Sequence, residues 1–318
     1  MRRRELARLK VVPFPVGQIP NSSACPELAS RSLDCAVRFT IRNPESRVVA
    51  APRGGDAKLI IPMALTAKSH SIAAYDIPER VASYDTDMDL MHPNRHKMLQ
   101  IVLDLLPFSP DASFTALDLG VGTGFFSYAI LKRFPNSRVI ALDGAASMIE
   151  MAQGRLGPIA DRVDFRTGDF RNLSELLRGE RGDLVYSAYA LHHLTAPEKI
   201  SVVSEILKFL NPGGWFLNAD LVIGHDAQIE SRIQEIRVQG IVERARANRN
   251  NGKDNSNDQR FASAASTRAF IDNLQSREHD QPLTLIEDLR ILSDAGLKNA
   301  SAFWLEYREA VTGGFKSL

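Results

Sequence analysis

Three glycines within five residues, Gly120, Gly122 and Gly124, constrain this chain more than any other stretch. They follow the apolar run Ala116-Leu117-Asp118-Leu119 and precede an amphipathic segment with Ala129, Ile130 and Phe134 on one side. That order predicts a buried strand, a tight turn and a helix, the first unit of a doubly wound α/β domain. Glycine suits such a turn because it tolerates positive φ and, lacking a Cβ, lets backbone approach a ligand closely. A dinucleotide turn reads G-x-G-x-x-G and seats a pyrophosphate on the helix N-terminus. Here the spacing is G-x-G-x-G, and Phe125 holds the position of the third dinucleotide glycine. Asp118, just before the turn, would repel a pyrophosphate and suits a ligand bearing an ammonium group. The turn also has no phosphate-binding lysine, which argues against a nucleoside triphosphatase. A glycine-rich turn with no ligand at all is the alternative at this point.

The chain has 318 residues, enough for one large α/β domain with additions. A formal net charge of +1 gives no overall basic footprint for nucleic acid, and no apolar run reaches the roughly 18 residues of a membrane span. The charge is unevenly spread. Residues 1–62 hold 11 Lys/Arg against 5 Asp/Glu, whereas the remainder holds 28 against 33. Seven of the 16 prolines also fall in 1–62, so that segment reads as a basic, Pro-rich arm, either disordered or an artefact of a start upstream of Met63, with a transit peptide as a third reading that the scattered Pro and Glu/Asp weaken. Both cysteines, Cys25 and Cys35, lie there, so no cysteine nucleophile or zinc–cysteine site is expected elsewhere. The seven histidines show no metal-ligand spacing, and no metal site is expected.

Further along, Arg138 to Asp143 reads as a second strand that ends in an acid. Asp143 follows Gly124 by 19 residues, close to the offset at which a carboxylate accepts from ribose hydroxyls. A helix begins near Ser147 and Met148. Val163–Thr167 reads as a third strand, running into Gly168-Asp169-Phe170, and Gly182–Ala188 as a fourth, running into Leu191-His192-His193-Leu194. An amphipathic helix from Pro197 to Leu210 meets Asn211-Pro212-Gly213-Gly214, which turns into a fifth strand at Trp215. Residues 229–241 and 262–274 read as helices around the polar stretch 248–258. Thr284, with Glu287 three residues on, opens a helix that ends at Gly296, and residues 299–313 read as a terminal hairpin.

Asp118 followed by G-x-G-x-G resembles motif I of the class I S-adenosylmethionine (SAM) methyltransferases. "Leu-His-His-Leu" after the fourth strand and "Leu-Asn-Pro-Gly-Gly" before the fifth resemble later motifs of the small-molecule members, in the family's order. The resemblance covers roughly residues 75–318. It implies a doubly wound, seven-stranded, mostly parallel sheet with an antiparallel terminal hairpin strand, plus a helical cap and insertion. The expected organisation is an arm (1–62), a helical cap (63–110), a SAM-binding core (111–224), a helical insertion over the substrate site (225–282) and a final helix and hairpin (283–318).

The resemblance further implies SAM as cofactor. Asp118 with Gly120, Gly122 and Gly124 would hold its amino acid head, Asp143 the ribose, and Met148, Asp169 and Phe170 the adenine. Ser187 and Ala188 would put strand-four backbone beside its methionine part. His192, His193 and Tyr84 are the candidates for a general base, needed only where the acceptor is a poorly ionised hydroxyl or amine. The expected activity is methyl transfer to a small-molecule O, N or C acceptor in a cytoplasmic monomer or homodimer, with no nucleic-acid partner. The layout of residues 225–282 resembles that of the carboxy-SAM synthases, which keeps carboxy-SAM synthesis as the alternative. A non-catalytic SAM-binding protein is a further one, and a nicotinamide-dependent oxidoreductase is disfavoured by Phe125.

Overall fold

The computed structural model describes residues 70–251 and 258–318; the arm, both cysteines and most of the polar stretch before Asp258 lie outside these residues. Three helices come first: α1 (His70–Tyr75), α2 (Pro78–Met91) and α3 (Arg95–Leu105). The α/β alternation then runs β1 (Thr115–Leu119), α4 (Phe125–Arg133), β2 (Arg138–Asp143), α5 (Ala146–Leu156), β3 (Val163–Thr167), α6 (Leu173–Leu177), β4 (Gly182–Ala188), α7 (Ala196–Phe209) and β5 (Leu210–Leu221). Two long helices, α8 (Ala227–Asn250) and α9 (Ala264–Glu278), interrupt it. Helix α10 (Leu285–Asp294) and the hairpin β6 (Lys298–Glu306) and β7 (Glu309–Phe315) complete the chain.

The seven strands form one sheet in the order β3-β2-β1-β4-β5-β7-β6. β1 to β5 pair in parallel, and β7 enters antiparallel between β5 and β6. The expected fold class is therefore found. Successive strand residues face opposite sides of a sheet, so β1 feeds two cores. Ala116 packs with Val139, Leu184 and Tyr186 under α3, α4 and α5. Leu117 and Leu119 pack with Ile140, Leu142 and Phe216 under α7 and α10. Truncating a fully buried side chain such as Leu117 to alanine costs about 2–5 kcal/mol, because the surrounding layers cannot collapse into the gap.

A third cluster belongs to the helical roof, where Leu90 and Met91 of α2 meet Val238 and Ile241 of α8 and Phe261, Ile271 and Leu274 from the α9 region. It sets α2, α8 and α9 together above the C-terminal end of the sheet.

Three local readings change. β5 starts at Leu210, so Asn211–Gly214 is an irregularity inside the strand, with Gly213 at φ +78°. α8 runs to Asn250, three residues into the polar stretch, since backbone hydrogen bonds continue where the apolar period has stopped. α6, between β3 and β4, is too short for helical periodicity to register.

Candidate active site

Ligands of open α/β sheets bind beyond the strand C-termini, where the strand order reverses. Here that is the gap between β1 and β4, and a cleft of about 810 Å³ opens there. The glycine turn forms its floor. Gly120 and Val121 both donate to the Leu142 carbonyl, at 2.9 and 3.0 Å, which ties the turn to β2. Gly120 has φ +76°, and a Cβ there would sit 2.5 Å from the Ala190 Cβ, so any side chain would drive the β4 loop away. A Cβ on Gly122, at φ +53°, would project into open space within the cleft. That bare backbone is what a closely bound ligand requires. Gly124 differs from expectation. It is the left-handed N-cap of α4, does not line the cleft, and would crowd Leu156 and Ala152 of α5 with a side chain. Its role is helix packing.

Three carboxylates stand at the C-terminal ends of β1, β2 and β3. Asp118 is only 1% exposed and accepts from the Ser127 hydroxyl at 2.6 Å. Burial pushes its carboxyl up to about 7, against the opposing hydrogen bonds of Ser127 and Tyr186. Asp143 is half-buried and accepts from the Gly122 and Ala145 backbone N–H groups, each at 2.9 Å. Burial raises it to about 6 despite those bonds. Each carboxylate oxygen has two lone-pair directions, so Asp143 keeps acceptor capacity facing the cleft. Asp169 is partly engaged already: it caps the short turn Phe170–Asn172 and pairs with Arg171 at 3.2 Å. Met148, Phe170 and Ala188 line the cleft, as expected. Ser187 does not. Its hydroxyl donates to the Leu119 carbonyl at 2.8 Å, because the side chain after Tyr186 faces into the sheet rather than over its edge.

A second cavity of about 570 Å³ lies under the roof and shares Tyr75, Tyr84, Met88 and Tyr189 with the first. The two histidines divide between them, His193 lining the cleft and His192 the second cavity. His192 Nδ1 lies 2.6 Å from Asp220 of β5. Burial alone would lower His192, but Asp220, helped by Asp280, holds its imidazolium up to about 9. Burial and the His192 charge hold His193 below the ordinary value. Asp280 is kept well below the carboxylate range, its burial outweighed by the two histidines. Burial raises the Tyr84 phenol, so it stays protonated at neutral pH. His192, His193 and Asp280 bring one ligand atom each to within 4.8 Å of one another. The sequence showed no such spacing, because Asp280 joins the pair only through the fold.

Several site residues carried no sequence signal. Tyr75 of α1 lines both cavities and stands edge-on to His193 at 5.7 Å between ring centroids. Asp85 of α2 bonds Arg95 at 2.7 Å, Arg155 at 2.5 Å and the Thr123 hydroxyl at 2.9 Å, clasping the roof to the glycine turn. Tyr189 adopts φ +52° and donates to Glu309 at 2.6 Å. A non-glycine residue in that region marks a turn held by its surroundings. Asp85 directly follows Tyr84, which the sequence did single out.

A family profile described as a methyltransferase domain matches residues 116–214, about a third of the chain. An uncharacterized methyltransferase of Anoxybacillus flavithermus is 33% identical over 129 residues, covering 41% of this chain and 57% of that protein. A carboxy-S-adenosyl-L-methionine synthase of Campylobacter lari is 22% identical over 163 residues, covering 51% of this chain and 68% of that one. The chain thus spans little more than half the length of the first of these relatives. Among solved structures, an O-methyltransferase family protein from Burkholderia thailandensis superposes with a TM-score of 0.54 at 18% identity, covering 77% of this chain and 62% of the other. Human N-acetylserotonin methyltransferase, solved in complex with SAM, gives 0.50 at 16% identity, covering 79% and 60%. At such identities the likeness shows the fold alone.

Proposed function

We propose, for a chain whose core is a class I SAM-dependent methyltransferase domain, that it transfers a methyl group from SAM to a small-molecule acceptor. One observation carries the reading: the cleft at the strand-order reversal lies against a second, roofed cavity, and the two share Tyr75, Tyr84, Met88 and Tyr189 as lining. A donor in the first would meet an acceptor in the second at that boundary. A site roofed by α2, α8 and α9 fits a small acceptor. Among the described residues no helix is long and apolar enough to cross a membrane.

The residues present fit the cofactor. A buried Asp118 with one hydrogen-bonded oxygen is suited to a ligand ammonium, which would lower its carboxyl from about 7. Gly122 exposes bare backbone to the cleft, and Asp143 has acceptor capacity for vicinal hydroxyls. Phe170 and Met148 offer apolar walls for an aromatic ring, with Asp169 at the edge. When bound, SAM supplies an electrophilic methyl carbon already activated by its sulfonium. The protein's work is then alignment and exclusion of water. The roof provides the exclusion, and the positive-φ Tyr189 fixes the wall between the cavities. Where the acceptor must lose a proton, His193 at the boundary is the group held neutral to take it, with His192 and Tyr84, both protonated at neutral pH, beside it.

A second reading, synthesis of carboxy-SAM, is favoured by Arg237. It lines the second cavity, and its buried Nη1 has no hydrogen-bond partner among the described residues, so it could receive a carboxylate. Calorimetric titration of the full chain with SAM tests both. Micromolar or tighter binding is expected, weakened by about 1–3 kcal/mol in Asp143→Ala, the cost of unsatisfied polar groups. No binding of SAM, or an Asp143→Ala variant that is folded and binds equally well, would sink the proposal. Carboxy-SAM binding more tightly than SAM would favour the second reading. SAM binding without turnover across an acceptor panel would point to a non-catalytic SAM-binding protein.

A further inference from the structure

We propose that His192 Nε2, His193 Nδ1 and one oxygen of Asp280 form a binding site for a first-row divalent cation of the Zn²⁺ and Co²⁺ type, at the boundary of the two cavities.

The group is an ion-paired cluster whose contacts are poorly aligned or too long for hydrogen bonds. A single oxygen of Asp280 lies 3.2 Å from His193 Nδ1 and 3.6 Å from His192 Nε2. Neither contact makes a hydrogen bond: the second is too long, and both His193 Nδ1 and this Asp280 oxygen are buried without a partner. His193 is itself only 6% exposed, so water does not compensate it. Buried polar atoms are nearly always hydrogen-bonded, and two that face one another without a hydrogen bond call for a third party. With metal–ligand bonds of about 2.1 Å, tetrahedral ligand atoms sit about 3.4 Å apart, which brackets the two distances. The widest gap in the group is at most 4.8 Å, so bringing every pair within the roughly 4.2 Å that two such bonds can span needs an inward movement of no more than several tenths of an ångström.

The surroundings are those of a metal centre. His192 presents its other nitrogen to Asp220 at 2.6 Å, the carboxylate–histidine pairing that orients a ligating imidazole and raises its basicity. Gln281 donates its N–H to the His192 carbonyl at 2.7 Å, locking the Asp280 segment against the histidine pair. Two imidazoles and two carboxylates, Asp220 and Asp280, leave negative charge in a buried place. In the metal-free protein the His192 imidazolium, with Arg237 and Arg308 at a distance, balances the two carboxylates, and a divalent cation would take the place of the proton on His192 Nε2. Nitrogen donors select against Mg²⁺ and Ca²⁺, while two histidines and a carboxylate suit Zn²⁺, Co²⁺ or Fe²⁺. Three protein ligands leave a position open, as catalytic rather than structural sites do.

The site stands on its own geometry and does not depend on methyl transfer. Should that reading hold, a cation at this boundary would polarise an acceptor oxygen and make a histidine base unnecessary.

The test uses the full, tag-free chain, stripped with chelator and titrated calorimetrically with ZnCl₂, with CoCl₂ absorption as a second readout. One equivalent per chain is expected, with visible Co²⁺ bands from mixed nitrogen and oxygen ligation. His193→Ala and Asp280→Asn should each weaken Zn²⁺ at least about a hundredfold, and Asp220→Asn about 10- to 100-fold. His96→Ala, at an exposed histidine, should leave it unchanged. Circular dichroism and SAM titration on the same variants separate a lost metal site from a lost fold. Absence of stoichiometric binding overturns the proposal. So does binding that survives both His193→Ala and Asp280→Asn, as binding at the two cysteines would.

Discussion

Asp118 shows how one residue can trade stability for function. Its folded pKa of about 7 lies above the ordinary carboxylate value, so between about pH 4 and 7 the folded protein holds a proton that the unfolded chain releases. The stability this group contributes is therefore full below pH 4 and lost as the pH rises through 7. Asp143, at about 6, acts in the same sense. In the ligand-free protein, Asp118→Asn should flatten this pH dependence and raise the melting temperature at pH 8 by several degrees, on the order of 4 kcal/mol at most. The same variant should bind SAM far more weakly. A wild-type SAM affinity that falls as the pH drops below 7 is the companion expectation. A variant no more stable than wild type at pH 8 would show that Asp118 is already compensated. At this scale, position in the chain was enough to bring some residues together. Asp118, Asp143 and Gly122 all meet in one cleft, since each sits at or just beyond a strand C-terminus. It was not enough for the Ser187 side chain, whose orientation depends on which face of β4 is buried, or for Gly124, where a Cβ would crowd α5.

Elements were legible where a local signal has one meaning. Thr284 with Glu287 forms the expected capping box on α10, and a matching box of Thr195 with Glu198 opens α7. The α2 helix is different, because its own sequence does not say what it covers. It is held over the glycine turn by Asp85, clasped between Arg95 and Arg155, and those partners hold the Asp85 carboxyl below its usual range against its partial burial. Asp85→Ala would leave two cations without their shared partner and free α2 from the turn. SAM affinity should drop about tenfold by calorimetry, while the melting temperature falls only a few degrees, because the cores on the two faces of the sheet are untouched. An equal loss of both would mean that α2 is an integral part of the core and not a cover.

Across the whole molecule, cofactor binding and folding are linked through the roof. At SAM concentrations of about 100 times the Kd, mass action adds about 2.7 kcal/mol, and hydrogen exchange should slow most in α1, α2 and α9. Uniform slowing, or slowing confined to the sheet, would contradict a roof that closes on the ligand. What the sequence determined by itself was the α/β order, the glycine turn, the acids after the first three strands and the terminal hairpin. Each is set by local periodicity, turn chemistry or a spacing of a few residues, and the strand order follows because right-handed parallel crossovers leave few alternatives. Tertiary structure alone decided the rest. It brought Asp280, 87 residues beyond His193, against the histidine pair, and set Tyr75 and Asp85 over the cleft. It also divided the pocket in two, with Arg237 of α8 lining the second cavity. The reason is physical: a helix packs by its apolar stripe, and which polar groups that packing carries into a site depends on distant surfaces that no local pattern records.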